Sequence, residues 1–237
     1  LIRLNTYAPG KIVDWCNLLH PDTTFVDMYS VPELYENQLI MLGSIGSPGE
    51  QQFIYIFDII DGSIINRIPI AEHRRTGDIL QVYNNLLIVP YAFSGIEVYD
   101  LNSHEMVWSY EPIANEINRQ WVNIVGSEII VPMMHGNIPY HDASIIAAFD
   151  IATGVRRDIF TVSKSELNGG SPHIKSVEVD TLPNGDVIHY FAIAKLQIDV
   201  IETHSFWAYN ETKGEYLWKQ NELDEYLVHN DPPIVFG

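Results

Sequence analysis

The sequence predicts an all-β fold built from repeated four-stranded antiparallel sheets, and three observations lead there. Five times a short alternating run ends in Asp or Asn, at Asn5, Asp58, Asp100, Asp150 and Asn210, turns at or near a glycine, and resumes with apolar residues. Three of these copies reach a tryptophan, at Trp15, Trp108 and Trp218. Between the copies lie short runs of β-prone residues bounded by Gly, Asn and Ser turns, the pattern of short antiparallel strands.

The unit is clearest in its later copies. Residues 121–125, 128–132, 144–150 and 155–160 read as four consecutive strands, with turns at Gly126-Ser127 and Ala152-Thr153-Gly154. The same order recurs upstream as 79–83, 86–91, 95–100 and 106–110, and before that as 38–42, 52–58 and 63–68. Downstream it returns as 174–181, 186–194, 205–210 and 215–219. The repeats therefore cover about 36–70, 78–111, 119–160 and 171–220. A four-stranded sheet leaves two apolar faces uncovered, and packing neighbours radially buries both, so the repeats are expected to be blades of a β-propeller. Repetition at this period is how such stacked units show themselves in sequence. Residues 1–16 read as part of a blade and 231–237 as the first strand of a further one. Two readings fit these ends within a single domain spanning 1–237. One is a ring of about five blades in which both termini share a blade; the other is a piece of a larger ring, such as a seven- or eight-bladed one. Residues 161–167 and 222–227 are expected to form short helical insertions.

Composition narrows the class. At 46% hydrophobic residues the chain can bury a substantial core, yet no apolar run approaches the ~20 residues of a membrane span. A formal charge of −18 argues against a nucleic-acid groove, where Lys and Arg must neutralise phosphates. It fits a self-repelling acidic surface, or an acidic face that meets a basic partner or divalent cations. Cys16 is the one cysteine, so no internal disulfide can form. The chain opens on Leu1 with no basic start followed by an apolar stretch, so a signal peptide is expected to be absent or already removed.

Residues 208–218, Ala-Tyr-Asn-Glu-Thr-Lys-Gly-Glu-Tyr-Leu-Trp, resemble the tryptophan-docking repeat of quinoprotein-type, pyrroloquinoline-quinone-like β-propellers. That repeat runs Ala, any residue, Asp, three residues, Gly, three residues, Trp, and here Asn210 stands in place of the Asp. Residues 148–158 keep Ala148, Asp150 and Gly154 but carry Asp158 where Trp is expected. Residues 98–108 keep Asp100 and Trp108 with His104 in the glycine place, 56–66 keep Asp58 and Gly62, and 5–15 carry one extra residue in the turn. The resemblance implies structural roles. Asp58, Asp100, Asp150 and Asn210 cap backbone amides in the turn, and Gly62, Gly154 and Gly214 supply its positive φ. Trp108 and Trp218 are expected to pack their flat faces between neighbouring blades.

The same resemblance carries two enzymatic models. Quinoprotein dehydrogenases hold their quinone on the propeller axis with calcium ligands, a catalytic Asp and, in alcohol dehydrogenases, adjacent cysteines; one cysteine cannot make that pair. Arylsulfotransferase-like propellers use axial histidines and an arginine, and nine histidines are present here without a local motif joining them. No catalytic residue and no cofactor is assigned. The densest polar stretch, 133–142, lies between the second and third strands of its repeat and is expected to be a loop. Its His135, His141 and Asp142 combine neutral nitrogen donors with a carboxylate and are the candidate metal ligands, for zinc or calcium. Tyr140 would wall that loop, and His173 would approach the same end. Arg74-Arg75, after His73, form a second basic loop able to clamp an anion. Asn210-Glu211-Thr212 fits a glycosylation sequon but falls inside the repeat turn. Taken together, the expected function is a non-catalytic binding or assembly scaffold, with a protein partner or small ligand, in the periplasmic or extracellular setting the resemblance implies. The alternative is a propeller enzyme with an axial site, quinoprotein-dehydrogenase-like or arylsulfotransferase-like.

Overall fold

A computed structural model of the chain describes residues 2–4, 13–16, 26–28, 32–45, 51–71, 75–76, 80–92, 95–113, 116–118, 122–136, 141–197 and 200–223. These form two compact units, Leu1–Tyr110 and Glu111–Gly237.

In the first unit, β1 (Ile2–Leu4) and β2 (Val13–Cys16) make an antiparallel pair with Ile2 opposite Cys16. A sheet follows, made of β3 (Val26–Met28), β4 (Glu33–Tyr35), β5 (Gln38–Ile45), β6 (Gln51–Asp58) and β7 (Ile64–Pro69). Its order is β3-β5-β6-β7, with β4 also pairing β5. The next sheet holds β8 (Arg75–Thr76), β9 (Gln81–Tyr83), β10 (Leu86–Ala92), β11 (Gly95–Asp100) and β12 (Met106–Tyr110), in the order β8-β10-β11-β12, with β9 also on β10. In both sheets the innermost position is occupied by two short strands on one neighbour, so each sheet is a four-position antiparallel meander.

The second unit repeats the plan. β13 (Glu116–Asn118) and β14 (Asn123–Val125) share the edge of β15 (Glu128–Gly136), followed by β16 (His141–Asp150) and β17 (Arg156–Ser163). A single 3-10 turn at Lys164–Leu167 leads to the last sheet. There β18 (Ser171–Thr181), β19 (Val187–Gln197), β20 (Val200–Asn210) and β21 (Glu215–Leu223) pair in sequence order.

Period-2 alternation explains how each blade buries two faces. In β6, Ile54 and Ile56 pack with Ile40 and Leu42 against Leu87, Val89 and Tyr91 of the second sheet. The intervening Phe53, Tyr55 and Phe57 form a separate cluster with Leu39 on the other face. In the second unit, Ile130, Ile146, Phe160 and Val162 meet Ile174, Val177, Phe191 and Trp207. The strand is thus apolar on consecutive residues yet remains a strand, because both pleat faces have a neighbour.

The repeat residues build one turn four times over. The carbonyls of Asp58, Asp100, Asp150 and Asn210 accept the amides of Gly62, His104, Gly154 and Gly214 at 2.7–2.9 Å. All four donors have positive φ, +77°, +59°, +71° and +69°. His104 therefore holds the left-handed conformation that glycine holds elsewhere, at about 1–2 kcal/mol of intrinsic strain. Side-chain oxygens cap the same turns. Asp58 Oδ1 accepts Ile60 N at 2.7 Å, Asp100 Oδ1 accepts Asn102 N and Ser103 N at 2.8 Å, and Asp150 Oδ1 accepts Thr153 N at 2.8 Å. The amide of Ser103 and the hydroxyl and amide of Thr153 hold Asp100 and Asp150 below the usual carboxylate range. The Asn at 210 also has a physical reason. Its Oδ1 accepts Lys213 N at 3.0 Å while its Nδ2 donates to Asp186 at 3.0 Å, a contact in which an aspartate would repel. Asn210 is buried, with both ends of its side-chain amide engaged.

Three expectations change. The inner-edge strands β3, β8 and β13 were not legible, because each is two or three residues long. Residues 161–163 continue β17, leaving only one 3-10 turn at 164–167, with Glu166 accepting Ser163 N at 2.9 Å. Glu222 and Leu223 extend β21; residues 224–227 and 231–237, like Asn5 and Gly10, lie outside the described residues. Trp218 is 41% exposed and lies tilted against Phe206 and Tyr190 of its own sheet, at ring distances of 5.3 and 6.4 Å. Register is the reason: Trp218 sits opposite Ala208, on the pleat face away from Trp207, which is the buried indole of this blade. Trp108 is half-buried on β12.

Candidate functional site

The polar residues of the second unit gather at the two ends of the contact between its blades. At one end stands the stretch expected to be a metal-binding loop. Most of it is strand: Met133, Met134 and His135 pair with Ile145, Ser144 and Ala143, because the two methionines are buried and hold the hairpin together. A bulge between His135 and Gly136 ends the regular ladder. Gly136 has φ +121°, and a Cβ there would lie 2.8 Å from the amide of Asp142, so the crossing admits glycine alone. Residues 137–140, with Tyr140, lie outside the described residues, as do His73 and Arg74.

This geometry separates the three candidate ligands. His135 and Asp142 are exposed, whereas His141 is buried. The ring of His141 instead meets that of His173 on β18, with centroids 4.9 Å apart and planes tilted by 53°. Two buried serines tie the backbone around the pair: Ser171 Oγ donates to the carbonyl of His141 and Ser144 Oγ to that of Pro172, each at 2.7 Å. On the same row of the sheet His173 lies opposite Ala194, and Ala194 opposite His204. His204 is buried, and its Nδ1 has no hydrogen-bond partner among the described residues. The result is a buried imidazole row. Among the described residues no three His, Cys, Asp or Glu side chains are arranged to hold a metal ion.

At the opposite end four charged or titratable groups interlock. Arg157 on β17 forks onto Glu128, Nε to Oε1 at 2.7 Å and Nη2 to Oε2 at 2.6 Å, and its Nη1 donates to Glu211 beyond β20. Glu211 Oε2 in turn accepts Nε2 of His189 at 2.7 Å. Burial depresses the His189 pKa and outweighs the pull of Glu211, so folding favours the neutral imidazole. Burial would raise Glu211, but His189 and Arg157 together hold it below its usual value. The carboxylate of Glu128, and after it that of Glu211, pushes the Arg157 pKa above its ordinary value. Glu211 and Arg157 both depart from the repeat. Residues one past the Asp that opens the turn are Ile59, Leu101 and Ile151 in the other blades, and residues seven past the opening Asp or Asn are Ile65, Val107 and Leu217. Aligning the repeats position by position was the signal that could have found both.

A consequence follows for pH. Folding lowers the His189 pKa, so below its ordinary value near pH 6.5 the unfolded chain holds the imidazole proton more tightly than the folded one. Its contribution to stability is therefore complete above that range and is lost as pH falls through it. Urea unfolding of wild type and of His189→Gln, compared at about pH 7.5 and about pH 5.5, is expected to show a smaller acid loss in the variant. Identical losses would mean that His189 carries no such linkage.

Two further buried carboxylates were not foreseen. Glu116 accepts Nη1 and Nη2 of Arg156 at 2.7 and 2.9 Å. In the first unit, Glu97 accepts the hydroxyls of Tyr99, at 2.6 Å, and Tyr91. Among the described residues no helix is long and apolar enough to cross a membrane.

No family model matches the sequence, and no curated protein matches it. Solved structures do match in shape. A europium-containing methanol dehydrogenase superposes with a TM-score of 0.54 at 11% identity, over 84% of this chain and 43% of its own. A quinohemoprotein alcohol dehydrogenase from Pseudomonas putida gives 0.50 at 13%, over 82% of this chain and 36% of its own. Raptor from Chaetomium thermophilum gives 0.51 at 14%, over 83% and 16%. At such identities the likeness defines the fold alone: an all-β propeller architecture of four-stranded antiparallel blades. The chain spans less than half the length of each of these three structures.

Proposed function

We propose that this chain is a non-catalytic, pyrroloquinoline-quinone-like propeller scaffold that binds a protein partner through the outer strands of its blades. One observation carries the reading. In three blades the residue seven past the Asp or Asn that opens the turn is an aliphatic placed on the outermost strand, and Ile65, Val107 and Leu217 are 43%, 44% and 45% exposed. A recurrent exposed aliphatic at one repeat position is what a contact rim requires, because single scattered apolar residues carry no such regularity. The acidic surface adds selectivity for a basic partner. The turn geometry shared by all four blades supports the resemblance to the tryptophan-docking repeat.

The test is photo-crosslinking from a benzoylphenylalanine placed at Ile65, Val107 or Leu217, with His135 as the blade-end control. Discrete protein adducts are expected from the rim positions. Adducts from His135 alone, with none from any rim position, would sink the reading.

A further inference from the structure

The outer half of the fourth blade holds a cation between two aromatic faces. Trp207 on β20 and Tyr216 on β21 stand at 88° to each other, with ring centroids 5.4 Å apart. The Lys219 ammonium sits in the corner they make, 3.9 Å from the first centroid and 3.5 Å from the second, and donates to Glu166 Oε1 at 2.9 Å. Register and a bulge build this corner. Trp207 lies opposite Lys219, and the irregularity between Ala208 and Tyr209 takes Leu217 out of the ladder. Three residues apart, Tyr216 and Lys219 would leave a regular strand on opposite faces; the bulge turns both to the face of Trp207. Asn221 fixes the indole through its N–H, and Tyr209 packs on Tyr216 with ring centroids 5.3 Å apart. The repeat itself does not require the aromatic pair. Counted from the Asp that opens the turn, the place of Trp207 is held by Tyr55, Glu97 and Ala147 in the other blades, and that of Tyr216 by Ile64, Met106 and Arg156.

We propose that Trp207, Tyr216 and Glu166 form a binding site for a methylated ammonium group, as on choline or a trimethylated lysine, and that Lys219 is a tethered cation which the ligand displaces. Perpendicular aromatic faces closed by a carboxylate attract a cation through the ring quadrupoles and the charge together. A free primary ammonium would gain nothing over Lys219, which its own chain holds beside the site. A methylated ammonium is less strongly hydrated and lays its methyl groups on both rings, which the compact, strongly hydrated lysine head does not. The way in is open. The side chains of Lys219 and Glu166 are 30% and 32% exposed, and an ion pair that exposed is weakly held. The inference goes beyond the scaffold reading and does not depend on it.

The probes are choline and acetyl-trimethyllysine amide, titrated into the full chain by calorimetry beside the neutral tert-butyl analogue of choline. Lys219→Ala, which opens the corner, is expected to bind both cations saturably. Their affinity should be at least about tenfold higher than in wild type, and at least about tenfold higher than that of the neutral analogue. In that background Glu166→Gln removes the charge while keeping an acceptor for Ser163 N, and should weaken both cations about fivefold. The tighter of the two cations identifies the source of the ammonium group. Thermal unfolding verifies that the variants fold. In wild type itself choline should still bind more tightly than its neutral analogue, so the site can be tested without a variant. No saturable binding, equal affinity for choline and its analogue, or insensitivity to Glu166→Gln would each overturn the site. Equal affinity in wild type and Lys219→Ala would overturn the displacement.

Discussion

Trp207→Ala is expected to destabilise the protein by about 3–5 kcal/mol, the range for removing a large aromatic from a packed core. Trp207 is 1% exposed and packs edge-on against Phe191 and Tyr216, with ring centroids 6.0 and 5.4 Å away. Its indole N–H donates to Asn221 Oδ1 at 2.9 Å. The Lys219 ammonium lies 3.9 Å from the Trp207 ring and 3.5 Å from that of Tyr216, while donating to Glu166 at 2.9 Å. Truncation therefore opens a cavity, orphans an amide oxygen and removes one wall from a cation. Trp218→Ala, at a site 41% exposed, should lose no more than about 1 kcal/mol. Urea unfolding of the two variants checks the contrast. Equal losses would mean that the two indoles are not distinguished by burial.

Arg156→Ala is expected to lose a comparable amount, about 3–5 kcal/mol, for an electrostatic reason. The Glu116 side chain is only 3% exposed and accepts both terminal nitrogens of the guanidinium. Removing the arginine leaves a buried carboxylate without its cation. The double variant Arg156→Met, Glu116→Leu takes away both charges and should recover most of the loss, since an apolar pair of similar volume does not have to be desolvated. A double variant no more stable than Arg156→Ala would show that packing by the arginine stem, not charge, holds this contact.

Legibility in the sequence followed the range of the interactions involved. The turns at Asp58, Asp100, Asp150 and Asn210 could be read because their hydrogen bonds close within five residues. Even the His104 departure keeps the same backbone path. The second, third and fourth strands of each blade could be read because their alternation is long enough to show. Of the first strands, β9, β14 and β18 could be read too, but the short companions β3, β8 and β13 could not, since they owe their conformation to the strand beside them. Trp207 escaped notice for a similar reason. Repeat position, which picks out Trp218, is local information, but burial depends on register, and register sets Trp207 inward. The candidate ligands His135, His141 and Asp142 are close in sequence, yet the hairpin turns His141 toward His173, thirty-two residues on. Sequence proximity in a strand hairpin does not imply convergence, because successive side chains leave on opposite faces.

The interlock of Arg157 with Glu211 has a bearing on how a chain of near-identical modules assembles in the right order. Repeats this alike can dock on the wrong neighbour or exchange with another molecule during folding. Most blade contacts here are aliphatic and interchangeable. The fourth blade is not, because Glu211 occupies the place held elsewhere by Ile59, Leu101 or Ile151. Set against a blade that offers Ile65 or Val107, its carboxylate would be half-buried with no guanidinium to receive it. Against Arg157 it is matched. Two charges that break the repeat thus mark this docking as the matched one, since against any other blade the carboxylate would keep its hydrogen bond to His189 but lose its cation.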